Sequence, residues 1–151
     1  MKAYWSWKRF EEISGAQMHQ ILCERQKVFI VEQECIYQDA DRLDTQSWHL
    51  MGHDDQGTLV AYARVNFPNT RYAEPSIGRI LTNENNRGCG LGYELVQECI
   101  KKCEYEYKNT PIRISAQTYL MEFYKSLSFD VVSKAYDEDG IEHVDMVLNL
   151  K

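Results

Sequence analysis

Residues 77–100 are IGRILTNENNRGCGLGYELVQECI, and this stretch determines the fold assignment. The apolar run from Ser76 to Thr82 has the length and character of a buried strand. A polar, glycine-rich loop follows it. Apolar residues then recur at helical spacing as far as about Tyr107, at Leu91, Leu95, Val96, Cys99, Ile100 and Cys103. The stretch therefore predicts a strand, a glycine-rich loop and an amphipathic helix in that order.

The glycine-rich loop predicts a binding site for phosphate. Its three glycines lack a Cβ, so the backbone can turn sharply and approach a ligand closely. The N–H groups at the start of the following helix are unsatisfied and lie at the positive end of its dipole, which favours an anion. An arginine adds a fixed positive charge, whereas no histidine or acid adjoins the cysteine to make it a nucleophile. The predicted site comprises Arg87, Gly88, Cys89, Gly90, Leu91 and Gly92.

Two common phosphate-binding motifs do not fit this loop. It lacks the Lys and the Ser or Thr of a Walker loop, and its glycines follow GxGxG and not the GxGxxG of a dinucleotide fingerprint. The pattern that fits is RxxGxG, formed by Arg87, Gly90 and Gly92. With a strand before it and a helix after it, the loop resembles the pyrophosphate loop of the GNAT acyltransferases.

A second segment supports the same resemblance. Residues 119–129, YLMEFYKSLSF, follow the predicted strand Ile112 to Gln117 and are similar to the downstream GNAT motif. The resemblance implies that the Tyr124 hydroxyl faces the coenzyme A sulfur and protonates the departing thiolate as a general acid. Ser128 stands where the family usually has a glycine. Thr118 is predicted to cap this helix.

The similarity extends along nearly the whole chain to the ElaA-like subfamily of GNAT proteins. Residues 25–44, 62–65, 77–79, 116–117 and 137–143 carry it. It implies an α/β GNAT fold, a mixed, mostly antiparallel central sheet flanked by helices, in a single N-acetyltransferase domain over residues 1–151. It also implies direct transfer from acetyl-CoA to an amine, with backbone groups of Ile80, Leu81 and Thr82 meeting the pantetheine and the thioester. The subfamily name does not specify the acceptor.

The sequence leaves the general base and the acceptor site open. Candidate bases are Glu32, Glu34, Asp41, Glu122 and His143, although Glu122 is expected on a solvated helix face and His143 half-exposed in an edge strand. Candidate acceptor-site residues are Arg79, Gln117, Glu34, Asp41 and His143.

Three aspartates, Asp39, Asp41 and Asp44, precede the second predicted strand. Their spacing does not match a calcium loop, because Leu43 stands at its fifth position. They are expected to form a solvated acidic loop or to attract a cationic substrate. Arg79 is expected to lie in a central strand, where a buried guanidinium needs a carboxylate. Pairing with one of these aspartates is therefore favoured over contact with a substrate.

The remaining pattern predicts the order β-α-β-β-β-α-β-α-β-β, with helices on both faces of the sheet. Ser14 and Gln17 match a capping box for the first helix. The other predicted elements are strands at 3–7, 48–53, 58–67, 129–136 and 142–150 and a helix at 119–128.

Composition narrows the function classes. The 151 residues are 44% hydrophobic and 26% charged, an ordinary globular balance, and the net charge is −6. This acidity argues against non-specific binding of nucleic acid or anionic lipid. No apolar run reaches the roughly 20 residues of a membrane helix, and the N-terminus lacks a signal-peptide core, so a cytoplasmic protein is expected. Five cysteines without metal-ligand spacing are expected to be reduced, with no metal bound.

We expect a small-molecule amine acceptor, and a homodimer is compatible with the sequence. Two other functions stay open. One is a non-catalytic coenzyme A-binding sensor or interaction module. The other is an acyltransferase like the acyl-homoserine-lactone synthases, whose N-terminal half has a faintly similar spacing of Arg25, Phe29, Asp39, Asp41 and Asp44.

Overall fold

A computed structural model describes residues 2–149 and places eight strands in one sheet. The strands are β1 (Tyr4–Arg9), β2 (Ser47–His53), β3 (Leu59–Asn66), β4 (Ser76–Thr82), β5 (Ile112–Gln117), β6 (Asp130–Val131), β7 (Tyr136–Glu138) and β8 (Ile141–Leu148). Their spatial order is β1-β2-β3-β4-β5-β8-β6, and β7 also pairs with β8. Every pair is antiparallel except β4–β5, so the predicted mixed, mostly antiparallel sheet is confirmed.

The first helix begins as its sequence predicts. The Ser14 hydroxyl accepts a hydrogen bond from the Gln17 backbone N–H at 3.1 Å, and the Gln17 side chain accepts one from the Ser14 N–H at 3.1 Å. These bonds satisfy two N–H groups that a helix start leaves free. The helix α1 (Gly15–Arg25) continues into a π-helical segment, Gln26–Glu32.

Helices cover both faces of the sheet, as expected. On one face, α1 and the π-helical segment place Ile21 and Val28 against Tyr62 and Leu81 of the sheet. On the other face, α2 (Leu91–Glu106) and α3 (Met121–Lys125) pack over the larger core. Helix α2 buries five residues: Leu91, Leu95, Val96, Cys99 and Cys103. Burial of each leucine or valine side chain among them contributes roughly 1.5–3 kcal/mol to the stability of the fold.

The parallel strands β4 and β5 separate soon after they meet. Ser76 opposite Arg113 is their one registered pair in the described residues. Further along β4, a β-bulge interrupts pairing with β3, because two residues of β4 stand opposite one of β3 between the pairs Arg64–Gly78 and Tyr62–Leu81. Arg79 lies in the bulge with a φ of 50°. The divergence and the bulge together open a gap in the sheet.

The C-terminal third differs from the prediction. The helix predicted over 119–128 is a 3₁₀ turn, Thr118–Leu120, followed by the short α3. Thr118 does not cap it, because its hydroxyl donates to the Glu142 carboxylate at 2.9 Å. The predicted strand 129–136 is divided into β6 and β7. Leu150, the predicted end of the last strand, lies outside the described residues.

Ser128 ends α3 in the left-handed region, with a φ of 73°. Its N–H donates to the Lys125 carbonyl at 2.9 Å, and the Phe129 N–H donates to the Tyr124 carbonyl at 3.1 Å. These two bonds form a Schellman motif, whose left-handed position favours glycine. Ser128 therefore occupies a backbone position that explains why the family usually has a glycine there.

Candidate active site

The gap between β4 and β5 opens into a cavity of about 390 Å³. Residues 77–82 of β4 line one side, and Ile114, Ser115 and Gln117 of β5 line the other. On the β5 side, β4 has no strand partner beyond Ser76, so alternate backbone N–H and C=O groups there are free to bind an extended ligand. Ile80, Leu81 and Thr82, which the sequence assigned to pantetheine and the thioester, all line this cavity.

The glycine-rich loop has a backbone that suits an anion. Gly88 and Gly90 have φ values of 81° and 84°, and a Cβ at either position would meet open space. Gly90 is the N-cap of α2 and no side chain caps the helix, so the first-turn N–H groups are free to bind a ligand. Gly92 faces Thr82, because a Cβ there would lie 4.0 Å from the Thr82 methyl group.

Cys89 and Leu91 enter this site through their backbones. The exposed Cys89 thiol donates to the Asn86 carbonyl at 3.1 Å. The Leu91 side chain is buried in the core beneath α2. The loop therefore offers backbone donors, and its two larger side chains are directed elsewhere.

Arg87 lies beside the loop but is already paired. Its guanidinium donates to both carboxylate oxygens of Glu32, at 2.8 and 3.0 Å, and to the Thr82 carbonyl at 3.2 Å. The hydrogen bond that Arg87 donates to Glu32 raises the pKa of Arg87. Sequence reasoning missed this pair, because the two residues are 55 positions apart. Glu32, a candidate base, is thus engaged at the predicted phosphate site.

Tyr124 lies on α3 and lines the cavity. Its ring packs edge-on against Phe123 and Phe129, with centroids 5.1 and 6.0 Å away. Burial raises the pKa of its hydroxyl, which therefore keeps its proton at neutral pH. Tyr124 is thus a core aromatic residue that also lines the cavity, and its role as a general acid stays a prediction.

A polar cluster borders the cavity beyond β5, where Glu138 makes three contacts. Its carboxylate accepts from Arg71 at 2.7 Å and from the Ser115 hydroxyl at 3.4 Å, and it lies 3.4 Å from the His143 Nε2. Gln117 stands opposite His143 in the β5–β8 register. Sequence reasoning named Gln117 and His143 but missed Arg71 and Glu138, which come from a loop and a short strand.

The prediction that His143 is half-exposed in an edge strand is wrong. It is buried, 7% exposed, because β8 is flanked by β5 on one side and by β6 and β7 on the other and is therefore not an edge strand. Glu34 is exposed with a φ of 50°, and it is absent from the cavity lining. Glu122 is solvated, as predicted, with 87% of its side chain exposed.

The expectation of a solvated acidic loop is also wrong. Asp39 and Asp44 are buried, and each carboxylate contacts the Arg25 guanidinium, at 2.8 and 2.7 Å. Arg64 bridges Asp41 and Asp44 at 2.6 and 2.7 Å. Burial alone would raise the pKa of Asp44, but hydrogen bonds and charge from Arg25 and Arg64 lower it. The three aspartates are therefore structural anions that sequence reasoning did not connect to Arg25 and Arg64.

Arg79 belongs to this buried network. It donates to the Asp39 carboxylate at 2.8 Å and to Asp41 at 3.3 Å, so the predicted pairing with an aspartate is confirmed. Burial alone would raise the pKa of Asp41, but the hydrogen bonds that its carboxylate accepts from Arg64 lower it. Both Arg79 and Asp41 are thus paired within the chain, and Arg79 also lines the cavity. Asp41 in particular is a poor proton acceptor.

Within residues 2–149, no three histidine, cysteine or acidic side chains are grouped closely enough to hold a metal ion. No helix of this part of the chain is both long and apolar enough to cross a membrane.

The family model for the acetyltransferase (GNAT) domain matches residues 12–150. This chain belongs to the GNAT acetyltransferase family. The GNAT chain is 53% identical over 150 residues to a UPF0039 protein of Synechocystis sp., covering 99% of this chain and 97% of that protein. It is 35% identical over 144 residues to protein ElaA of Escherichia coli K12, covering 94% of each.

Solved structures agree with this assignment. The GNAT chain aligns with the crystal structure of Escherichia coli ElaA at a TM-score of 0.91 and 33% identity, covering 98% of this chain and 100% of that one. It aligns with an acyl-CoA N-acyltransferase from Pseudomonas aeruginosa at a TM-score of 0.92 and 34% identity, covering 97% and 99%. The ElaA-like subfamily and the GNAT fold expected from the sequence are confirmed.

Proposed function

We propose that the protein is an N-acetyltransferase that transfers the acetyl group of acetyl-CoA directly to a primary amine of a small acceptor. The observation that carries the proposal is the gap between β4 and β5, which joins three features in one cavity. These are unpaired backbone of β4, Arg87 beside the glycine-rich loop, and Tyr124. Family membership supports acetyl-CoA as the co-substrate.

The residues present fit coenzyme A. The free N–H groups at the start of α2 and the Arg87 guanidinium suit a pyrophosphate, once Arg87 exchanges Glu32 for it. The edge of β4 at Ile80, Leu81 and Thr82, where the Thr82 carbonyl accepts from Arg87, suits the amide-bearing pantetheine arm, which supplies the acetyl thioester. One backbone N–H aimed at the developing oxyanion would contribute a few kcal/mol of stabilisation. Tyr124 holds a proton for the thiolate.

Transfer is direct in this proposal, so no residue forms a covalent bond to the acetyl group. Cys89 is not a nucleophile, because its thiol bonds to the Asn86 carbonyl and lies in the predicted phosphate site. Arg79 and Asp41 hold the β4 bulge through the buried ion pairs and do not bind the acceptor. Gln117 and His143 remain acceptor-site residues in the proposal, because both line the cavity.

A free-thiol assay with acetyl-CoA across a panel of amines tests the activity. At least one amine is expected to accelerate thiol release, and Tyr124→Phe is expected to lower kcat by about 10²–10⁴-fold while leaving coenzyme A affinity unchanged. Arg87→Ala is expected to weaken coenzyme A binding. If coenzyme A binds and no amine accelerates release, the chain is a non-catalytic coenzyme A-binding module instead.

The proposal extends to the setting of the enzyme. We place it in the cytoplasm, with no nucleic acid, membrane or metal required for the reaction. A homodimer is compatible with the proposal, and size-exclusion chromatography with light scattering tests it.

A further inference from the structure

The imidazole of His143 is held in one tautomer. Its Nδ1 lies 2.7 Å from the Ile141 carbonyl oxygen. A carbonyl oxygen only accepts, so the ring donates from Nδ1 and that nitrogen carries the proton. In the neutral ring Nε2 therefore has a free lone pair.

The Nε2 lone pair faces a second proton acceptor. Nε2 lies 3.4 Å from the Glu138 Oε2, and both side chains line the cavity between β4 and β5. Two acceptors in contact leave each other unsatisfied unless a proton or a donor lies between them. An alkylammonium group supplies such donors, because it has several N–H bonds and a positive charge that the carboxylate favours.

Neighbouring groups hold this pair in place. The Tyr136 ring stacks on the His143 ring with centroids 6.2 Å apart, and the Arg71 guanidinium and the Ser115 hydroxyl bond to Glu138. Asp145, two residues further along β8, accepts a hydrogen bond from the Tyr136 hydroxyl, and the carboxylate of the adjacent Glu142 is bonded to Thr118. The His143 ring is therefore held in one orientation and is nearly buried.

We propose that His143 Nε2 is the general base of the reaction, and that Glu138 holds the ammonium group of the acceptor beside it. This inference rests on the proposed acetyltransferase function and assigns the residue that the sequence left open among five candidates. Four of those candidates are not available. Glu32 lies beside Arg87 at the predicted phosphate site, and Asp41 is paired with Arg64. Glu34 and Glu122 are exposed and absent from the cavity lining.

The ammonium group gives one proton to His143 Nε2, and its nitrogen attacks the thioester carbonyl carbon. The C–N bond forms and the C–S bond breaks, and Tyr124 gives its proton to the departing sulfur. The second proton lost by the nitrogen restores the Tyr124 hydroxyl, and the proton on His143 passes to water. Each turnover therefore releases one proton, together with the acetylated amine and free coenzyme A.

Nitrogen-15 NMR of the wild-type imidazole tests the geometry without turnover. At a pH where the ring is neutral, we expect a protonated Nδ1 and an unprotonated Nε2 at His143, and n-butylammonium chloride should shift the Nε2 resonance. A protonated Nε2 in the neutral ring, or no response of His143 to n-butylammonium, overturns the proposal. Because this measurement needs no acetyl-CoA, it decides the site even if the amine panel finds no acetyl transfer and the proposed function fails.

His143→Asn tests the role in turnover, because the asparagine amide can still donate to the Ile141 carbonyl but has no counterpart to Nε2. With the panel amine that is acetylated fastest, we expect kcat/KM near neutral pH to fall by about 10²-fold or more. The deficit should shrink as the pH rises, because the amine then loses its proton to water. Coenzyme A affinity should not change.

The matched control is His19→Asn, which removes an exposed histidine of α1 outside the cavity and should leave the pH profile unchanged. A normal profile for His143→Asn overturns the proposal. A deficit of the same size at every pH also overturns it, because it shows a purely structural role. If the variant does not fold, as seen by circular dichroism, the NMR experiment on the wild-type protein decides.

Discussion

Glu32 competes with phosphate for Arg87, and its removal should tighten coenzyme A binding. In the structure both oxygens of the Glu32 carboxylate accept from the Arg87 guanidinium, at 2.8 and 3.0 Å. A guanidinium that meets a pyrophosphate must first leave this partner or share it. Glu32→Gln keeps the size of the side chain and removes its charge, so the cost of the exchange falls.

The magnitude follows from the exposure of the pair. The Arg87 and Glu32 side chains are 39% and 42% exposed, so solvent screens their attraction. Exposed ion pairs contribute about 0.2–1 kcal/mol, which corresponds to about a 1.4- to 5-fold change in a binding constant. We therefore expect Glu32→Gln to lower the Kd of coenzyme A by up to about 5-fold at low salt, and the difference to shrink in about 1 M salt.

Isothermal titration calorimetry with coenzyme A measures this effect. Glu24→Gln is the matched control, because it removes the same charge from α1 while its carboxylate bonds to Lys27 at 3.2 Å and not to Arg87. Its affinity should equal that of the wild-type protein. Weaker binding by Glu32→Gln would refute the reasoning and show that Glu32 positions Arg87. An equal gain in both variants would instead indicate a general effect of net charge.

Three further predictions concern stability. Asp44→Asn should destabilise the fold by about 3–5 kcal/mol in urea unfolding at pH 7, because Arg25 and Arg64 then lack a buried anion. The control Asp55→Asn changes an exposed residue and should alter stability by less than about 0.5 kcal/mol. An effect as small as this at Asp44 would contradict the buried network. In the folded protein the pKa values of Asp41 and Asp44 are lowered. Their contribution to the free energy of unfolding is therefore present above the unfolded pKa of about 3.9 and is lost as the pH falls through the lower folded values. Urea unfolding midpoints that do not fall in acid would count against this prediction. Ser128→Gly should raise stability by about 0.5–1 kcal/mol, because glycine adopts the left-handed end of α3 without a Cβ penalty, and a lower melting temperature would exclude that explanation.

Local signals in the sequence predicted much of the fold. The bounds of β4 and β5 were predicted as the structure has them, because continuous apolar runs between polar loops indicate buried strands. The Ser14–Gln17 capping box and the start of α2 after the glycine-rich loop depend on backbone groups only a few residues away. Each of these features is encoded within one turn or one strand, so a single sequence is sufficient to find it.

Features that depend on distant partners were missed. Arg25 and Asp44 are 19 residues apart, and Arg87 and Glu32 are 55 apart, so neither pairing leaves a periodic trace in the sequence. The same reason explains why three aspartates looked solvated and why His143 was assigned to an edge strand. Burial of a charge depends on which arginine the fold brings to it, and strand order depends on the whole sheet.

The sequence by itself determined the family, the glycine-rich loop and Tyr124, because those motifs are contiguous and their chemistry follows from residue type and spacing. Only the tertiary structure decided which of the named polar residues face the cavity. The divergence of β4 and β5 opens that cavity, and the return of β7 and β8 brings Glu138 and His143 to its border. The three aspartates do not face the cavity, because they pair with the buried Arg25 and Arg64. These ion pairs are shielded from water and join separate segments of the chain, so only the tertiary structure shows them.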